Sequence, residues 1–95
     1  MASLNDSELQ SALADLPNWH LADGKLVRDF TFPDFVAALE FVNRVGALAE
    51  AQNHHPDIDI RYNKVRLGLI SHDANGITRR DLRLAALLNT EFPAS

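Results

Sequence analysis

The stretch Asp57-Ile-Asp-Ile-Arg-Tyr-Asn-Lys-Val-Arg-Leu-Gly-Leu69 decides the fold, because apolar and polar residues alternate along it on both sides of a turn. This alternation is typical of two half-buried strands. A turn at Asn63-Lys64 places Tyr62 opposite Val65 and keeps the apolar side chains of the hairpin on one side. A slip of one residue would move that apolar set to the other face, so the pattern predicts a hairpin in this register.

The segments that flank this hairpin carry three of the chain's four histidines. His54 and His55 precede it, and His72 follows it. Extended outward, the predicted register sets His55 opposite His72, although Pro56 interrupts the ladder. We therefore expect the two histidine segments to meet at the open end of the hairpin.

The rest of the chain predicts three helices and two further strands. A first helix is expected at about 7–16, strands at 19–21 and 26–32 joined by the turn Asp23-Gly24, and a long helix at about 34–52. Thr78 is the predicted N-cap of the last helix, with Asp81 in the acidic position of a capping box. The predicted class is α+β: a four-stranded antiparallel sheet with three helices packed on one face, in the order helix-strand-strand-helix-strand-strand-helix, forming a single domain over 1–95.

Composition and charge exclude several classes of protein. The chain has 95 residues, no cysteine and a formal net charge of −4. It can form no disulfide, it has no apolar run long enough to span a membrane, and its first residues lack the pattern of a secretion signal. Its one basic cluster, Arg79, Arg80 and Arg83, is interrupted by Asp81 and is typical of a solvated helix face. We therefore expect a cytoplasmic protein with no membrane and no nucleic-acid partner.

The long helix has an apolar face wider than one packing partner requires. Phe41 and Leu48 lie to one side of its main apolar stripe, so the apolar arc exceeds the ~100° that a helix packed on a sheet needs. The stripe comprises Phe35, Leu39, Val42, Gly46 and Ala49, with Ala38 and Val45 beside it. A homo-oligomer contact and a groove within the monomer are both compatible with this face.

The histidines are the residues best suited to chemistry. An unperturbed imidazole titrates at about pH 6.5, so it can both give and take a proton near neutrality. Three imidazoles could also bind zinc, but the adjacent His54 and His55 diverge by about 100° on a helix and point to opposite faces on a strand. A histidine pair that merely ends the long helix is a third interpretation. General acid–base catalysis on a small neutral substrate accounts best for three histidines near Glu50, which lies one helical turn before His54.

The sequence resembles the pterin-4a-carbinolamine dehydratases over nearly its whole length. The likeness is strongest at Asn53-His-His-Pro56, Tyr62-Asn-Lys-Val65, Ser71-His-Asp73 and Gly76-Ile-Thr-Arg-Arg-Asp81. It implies dehydration of 4a-hydroxytetrahydropterin to quinonoid dihydropterin, which recycles the pterin cofactor of aromatic amino acid hydroxylases. It also implies that the enzyme uses no metal or other cofactor and forms a homodimer or homotetramer.

The resemblance assigns roles to ten residues. The catalytic residues are His54, His55 and His72, with His54 and His72 sharing the acid and base roles and His55 positioning the pterin or its hydroxyl. The residues expected to line the pocket or bind the substrate are Glu50, Asn53, Pro56, Ile70, Ser71, Asp73 and Asp81. Of these, Glu50 and Asp81 are expected to orient imidazoles or to hold the pterin ring. Two alternatives are a non-enzymatic interaction or regulatory module that uses the apolar face of helix 34–52, and a metal-dependent hydrolase.

Overall fold

A computed structural model describes residues 2–93 and has the predicted order of helices and strands. The elements are α1 (Asp6–Ala14), β1 (His20–Ala22), β2 (Lys25–Thr31), α2 (Phe35–Gln52), β3 (Asp57–Arg61), β4 (Lys64–Leu69), a short 3₁₀ turn (His72–Ala74) and α3 (Arg79–Glu91). Within the described residues, no helix is both long and apolar enough to cross a membrane.

The four strands form one antiparallel sheet in the order β1-β2-β4-β3. The side chains of β2 and β4 that face the helices are buried and pack with residues of α2 and α3 in one apolar core. The opposite face is charged and carries cross-strand ion pairs, including Lys25 with Asp57 and Arg66 with Asp29. The hydrogen bonds from Arg66 lower the pKa of Asp29. The predicted fold class, with its helices on one face of the sheet, is confirmed.

The predicted turn of the central hairpin is wrong by one position. Ile60, and not Tyr62, lies opposite Val65, so the turn residues are Tyr62 and Asn63. The apolar set still faces the core, because the partner of Val65 moved by two residues and side chains alternate with a period of two. Two hydrogen bonds join Asn63 to Phe32. The Phe32 N–H donates to the Asn63 carbonyl at 2.8 Å, and the Asn63 side-chain amide donates to the Phe32 carbonyl at 2.9 Å. These tertiary hydrogen bonds select between two registers that the apolar pattern cannot distinguish.

This register also changes the relation between the two histidine segments. The β3–β4 ladder ends at Asp57 and Gly68, and its alignment does not set His55 opposite His72. The two segments still leave the same end of the hairpin, one before β3 and the other after β4. Their connection is made by side chains and not by the ladder.

Helix α2 is rotated relative to the stripe that the sequence predicts. Asp34 caps its first turn by accepting from the Ala37 N–H at 2.9 Å, and its buried residues are Ala38, Phe41, Val45 and Ala49. Phe41, expected at the side of the stripe, is one of these buried residues, with its ring centroid 4.4 Å from that of Phe30 and 4.8 Å from that of Phe92. Phe92 covers the side of α2 that carries Phe41, whereas Phe35 and Leu39, within the predicted stripe, are 46% and 41% exposed.

One buried cation ties the sheet to the end of α3. Arg28 of β2 is fully buried, lies 4.2 Å from the centre of the Phe30 ring, and donates to Asn89 Oδ1 at 2.6 Å and to the Phe92 carbonyl at 2.7 Å. The Trp19 indole donates to the same Asn89 oxygen at 2.8 Å. Burial lowers the pKa of Arg28 because it disfavours the charged form. Asn89 is therefore a shared acceptor that joins β2, α3 and the segment before β1.

Candidate active site

The first histidine segment begins where α2 ends. Asn53 has the left-handed conformation, with a φ of 52°, which asparagine tolerates better than most residues. The His54 N–H then donates to the Ala49 carbonyl at 3.1 Å, which closes the last turn of the helix. This reversal places the His54 side chain in a mostly buried site, 12% exposed, while His55 is 57% exposed. The two adjacent imidazoles therefore diverge, as the sequence predicts.

The second histidine segment is a small closed loop after β4. Ser71 and Gly76 exchange backbone hydrogen bonds of 2.9 and 3.3 Å, and His72 starts the 3₁₀ turn between them. Asn75 ends that turn with a φ of 53°. His72 is exposed on the loop. Outside the loop, the Leu4 N–H donates to the Ile77 carbonyl at 2.8 Å, so the N-terminal segment lies against the base of the loop.

The start of α3 supplies the carboxylate that joins the two segments. Thr78 is the N-cap and Asp81 completes a capping box, as predicted from the sequence. Asp81 is fully buried, and its Oδ2 accepts from the Thr78 N–H and from the Ser71 hydroxyl, both at 2.9 Å. Its Oδ1 lies 2.5 Å from Nε2 of His54. A single carboxylate therefore binds the end of α2, the loop after β4 and the start of α3.

This arrangement determines which nitrogen of His54 can react. A carboxylate has only acceptor capacity, so the hydrogen between Asp81 and His54 belongs to Nε2 of the imidazole. The other ring nitrogen, Nδ1, then has a lone pair that can accept a proton. The nearby negative charge also stabilises the imidazolium that forms when Nδ1 accepts a proton. His54 is thus equipped to act as a general base.

The other carboxylates near the histidines have different partners. Glu50, on the last turn of α2, pairs with Nε2 of His55, and both side chains are exposed. Asp73, within the loop, pairs with Arg80 of α3, and this hydrogen bond lowers the pKa of Asp73. Each histidine of the first segment therefore has its own carboxylate.

The remaining predicted site residues surround this network. Pro56 and Ile70 are half-buried on either side of the hairpin's open end, and Asn53 is exposed at the end of α2. Ser71 is 1% exposed, and its hydroxyl is directed to Asp81. Thr78, which the sequence indicates only as a helix cap, also has its hydroxyl 2.8 Å from that of Ser71. No local pattern signals this contact, because it depends on the packing of the loop against α3.

The candidate metal ligands are not gathered around one point. Among residues 2–93, no group of three or more histidine, aspartate or glutamate side chains is placed to hold a metal ion. His54 and His55 are each paired with a different carboxylate instead.

A depression of about 530 Å³ lies away from the histidines, on the open face of the sheet. Its lining includes Asp29, Asp59, Arg61, Lys64 and Arg66, and it contains none of the three site histidines. Carboxylates and cations alternate there and form ion pairs, Arg61 with Asp59 along β3 and Arg66 with Asp29 between β4 and β2. This depression is therefore separate from the candidate site formed by the histidines.

Comparison with known proteins identifies one family over almost the whole chain. The family model described as pterin 4 alpha carbinolamine dehydratase matches residues 2–90. A protein of Chloroflexus aurantiacus, named provisionally as a pterin-4-alpha-carbinolamine dehydratase, is 49% identical over 94% of this chain and 96% of its own length. A protein of Acidobacterium capsulatum with the same provisional name is 52% identical over 90% of this chain and 94% of its own.

Two solved structures share the fold. A crystal structure from Brucella melitensis, described as a transcriptional coactivator/pterin dehydratase, has a TM-score of 0.84 at 36% identity and covers 93% of this chain and 96% of that one. A pterin dehydratase-like protein described as a RuBisCO assembly factor of the alpha-carboxysome has a TM-score of 0.62 at 19% identity, covering 81% of this chain and 89% of that one. The second likeness shows the fold alone.

Proposed function

The chain belongs to the pterin 4 alpha carbinolamine dehydratase family, and on that premise we propose that it dehydrates 4a-hydroxytetrahydropterin to quinonoid dihydropterin and water. The observation that carries this proposal is the buried Asp81 carboxylate, 2.5 Å from Nε2 of His54 and bonded to the residue that precedes His72. It joins the two histidine segments and occupies Nε2 of His54, so Nδ1 is the nitrogen that we assign to the reaction.

The reaction moves two protons and involves no oxidation. A base removes the proton from N5 of the pterin, an acid protonates the hydroxyl at C4a, the C4a–O bond breaks and an N5–C4a double bond forms. In our proposal, Nδ1 of His54 accepts the N5 proton, because Asp81 stabilises the resulting imidazolium. His72, exposed on its loop, donates the proton that leaves in water, and His55, paired with Glu50, positions the pterin.

The remaining site residues complete this proposal. Asn53, Pro56, Ile70 and Asp73 border the two histidine segments and are proposed to line the pterin pocket. The reaction needs no metal or other cofactor, since two imidazoles in different protonation states supply both the acid and the base.

The experiment that tests the activity follows the decay of enzymatically generated 4a-hydroxytetrahydropterin by ultraviolet absorbance. Chelator-treated wild type should accelerate the decay, and His72→Ala should lose about 10²–10⁴-fold in turnover, the usual contribution of a general acid. His20→Ala is the matched control, because His20 is exposed on β1 and lies outside the site. Folded wild-type protein that gives no acceleration would overturn the dehydratase, and dependence on an added metal would overturn the metal-free mechanism.

The wider role that we propose is recycling in the cytoplasm of the pterin used by an aromatic amino acid hydroxylase. Hydroxylation leaves the pterin as its 4a-hydroxy form, and dehydration gives a product that a reductase can return to the tetrahydro state. We also propose that the chain assembles as a homodimer or homotetramer through α2, where Phe35 and Leu39 are exposed. Expressing the gene with a hydroxylase should raise the number of hydroxylase turnovers per pterin if the role is correct.

A second candidate function is a non-enzymatic interaction module, and the same exposed apolar residues of α2 favour it. Phe35, Val36 and Leu39 occupy the first turns of α2, and each is at least 41% exposed. The Brucella melitensis relative is described as a coactivator as well as a dehydratase, which is consistent with a binding role in this family. A protein that assembles through α2 but does not act on the pterin would support this function in place of the first.

A further inference from the structure

Two buried hydroxyl groups stand behind the Asp81 carboxylate. Ser71 Oγ lies 2.9 Å from Asp81 Oδ2, and Thr78 Oγ1 lies 2.8 Å from Ser71 Oγ. Ser71 is 1% exposed and Thr78 is fully buried. Beyond them, the backbone N–H of Arg80 lies 3.2 Å from Thr78 Oγ1. The chain of contacts therefore runs from the Arg80 N–H through the hydroxyls of Thr78 and Ser71 to the Asp81 carboxylate.

The direction of each hydrogen bond in this chain is determined by the chemistry of the groups. Asp81 can only accept, so the Ser71 hydroxyl donates to it. Ser71 has then used its one hydrogen, and the hydrogen between the two hydroxyls belongs to Thr78. Thr78 Oγ1 in turn accepts from the Arg80 N–H. Every hydrogen in the chain points towards Asp81.

We infer that Ser71 and Thr78 are positioning residues for His54, acting through Asp81 without touching the substrate. This inference rests on the proposed dehydratase function. Burying an ionised carboxylate is costly unless donors surround it. Hydrogen bonds to charged groups are about twice as strong as neutral ones, and linked donors strengthen one another. The two hydroxyls surround the Asp81 carboxylate with hydrogen-bond donors and hold its Oδ1 toward Nε2 of His54.

Contact with the substrate and positioning of Asp81 are two roles of Ser71 that differ in their kinetic effect. If Ser71 contacts the substrate, as the resemblance implies, loss of its hydroxyl raises KM. If it positions Asp81, loss of the hydroxyl lowers kcat and changes the tautomer of His54, and KM stays within about twofold. Because Ser71 is buried and its hydrogen is bonded to Asp81, the geometry favours the second role.

Two variants of nearly equal shape test this inference. Ser71→Thr and Ser71→Val both add one branch at Cβ, but only threonine keeps the hydroxyl. The first readout is the tautomer of His54 by nitrogen-15 NMR of the imidazole, which needs no substrate. We expect Ser71→Thr to keep the Nε2–H form, and Ser71→Val to give a mixture of the two neutral tautomers. The second readout is turnover, where Ser71→Val should fall about 10–100-fold below Ser71→Thr, as expected for a lost hydrogen bond to a charged group.

The outcomes separate this inference from the proposed function. Equal tautomers in the two variants would overturn the positioning role, whether or not the protein dehydrates a pterin. If Ser71→Val changes the tautomer of His54 but the wild-type protein does not dehydrate a pterin, the positioning role of Ser71 is supported. Only the proposed reaction is then refuted. If neither branched variant folds, Ser71→Ala provides the same NMR comparison with wild type, since alanine removes the hydroxyl without adding atoms.

Discussion

Nε2 of His54 lies 2.5 Å from Oδ1 of Asp81, although the two residues are 27 positions apart in the chain. One follows the last turn of α2, and the other lies in the first turn of α3. The pair is 12% and 0% exposed, so bulk water competes little with it. The acid–base chemistry that we propose therefore depends on how two helix ends pack together.

The first prediction concerns Asp81→Asn. The amide can present its NH₂ group to His54. The imidazole would then have to accept at Nε2 and would carry its own hydrogen on Nδ1. The base would then be lost, so kcat should fall by about 10²–10⁴-fold, as for other histidines held in the wrong tautomer. Stopped-flow measurement of dehydration would give this number. Turnover close to wild type would refute the assignment of His54 as the base.

The second prediction concerns pH and the loop that carries His72. The hydrogen bond from Arg80 lowers the pKa of Asp73 below its ordinary value in the unfolded chain, so the unfolded state binds a proton first as the pH falls. The ion pair of Asp73 with Arg80 therefore stabilises the fold fully at pH values above the pKa of Asp73 in the unfolded chain. This stabilisation is lost as the pH falls through the lower pKa of the folded state. The difference in unfolding midpoint between wild type and Asp73→Asn should be present at pH 6 and should vanish at strongly acid pH.

Asp29→Asn offers a matched comparison for the pH prediction. Its pKa is also lowered, by Arg66, on the opposite face of the sheet. The variant should lose its midpoint difference over the same kind of acid window, but without any effect on dehydration, since Asp29 lies outside the site. A midpoint difference for Asp73→Asn that persists in strong acid would contradict the role of the ion pair.

The third prediction concerns stability at Asn89. Asn89→Ala removes the oxygen that accepts from both the Trp19 indole and the Arg28 guanidinium. Loss of hydrogen bonds in a buried site that includes a charged donor should lower the free energy of unfolding by about 2–4 kcal/mol. Urea denaturation would measure it. Asn89→Asp keeps an acceptor and should cost much less, and equal losses in the two variants would show that the oxygen is not what matters.

The fourth prediction concerns the contact between the N-terminal segment and the His72 loop. A Cβ atom at Gly76 would lie 2.9 Å from Cβ of Ser3, closer than such atoms approach in proteins. Gly76→Ala should therefore displace the segment and weaken the bond from Leu4 to Ile77, at a cost of about 1–3 kcal/mol. The double variant Gly76→Ala/Ser3→Gly should recover most of that loss in a thermal unfolding series. If Ser3→Gly does not restore the stability lost in Gly76→Ala, the strain does not lie in the contact between these two residues.

The fifth prediction concerns assembly through α2. Phe35→Asp/Leu39→Asp places charges at exposed apolar positions, so it should reduce the hydrodynamic size to that of a 10.6 kDa monomer without unfolding the chain. Ala51→Asp, exposed on the opposite side of the same helix, is the control that should leave assembly intact. Size-exclusion chromatography with light scattering separates the outcomes, and an unchanged mass for the double variant would refute the contact. Phe41→Asp is unsuitable, because Phe41 is buried and its replacement should unfold the protein.

Features set by neighbouring residues could be predicted from the sequence. Asp23 and Gly24 have φ values of 53° and 75° in the turn between β1 and β2, as the dipeptide indicates. The capping box of Thr78 and Asp81 is also present. Both depend on groups within three residues of each other, so a local pattern contains all the information that is required.

Features that depend on distant residues could not be predicted in the same way. The apolar alternation in the hairpin is satisfied equally by two registers, and the choice depends on hydrogen bonds between Asn63 and Phe32. The rotation of α2 depends on where Phe92 packs. The three histidines could be grouped from their positions around the hairpin, and the resemblance implies that Asp81 orients an imidazole or holds the pterin ring. That its partner is His54 depends on the packing of α3 against the end of α2 and could not be derived from a local pattern.

The two oxygens of Asp81 have a consequence for protein engineering. One oxygen accepts from the helix start and the Ser71 hydroxyl, and the other faces the imidazole, so folding and the proposed reactivity share a single side chain. A library selected only for heat resistance would retain this aspartate and would give no sign that chemistry depends on it. A library selected only for turnover would retain it too, and the two causes would be indistinguishable. Screens of this scaffold should therefore randomise Ser71 and Thr78, whose hydroxyls lie behind the carboxylate, because heat resistance and turnover can change separately there.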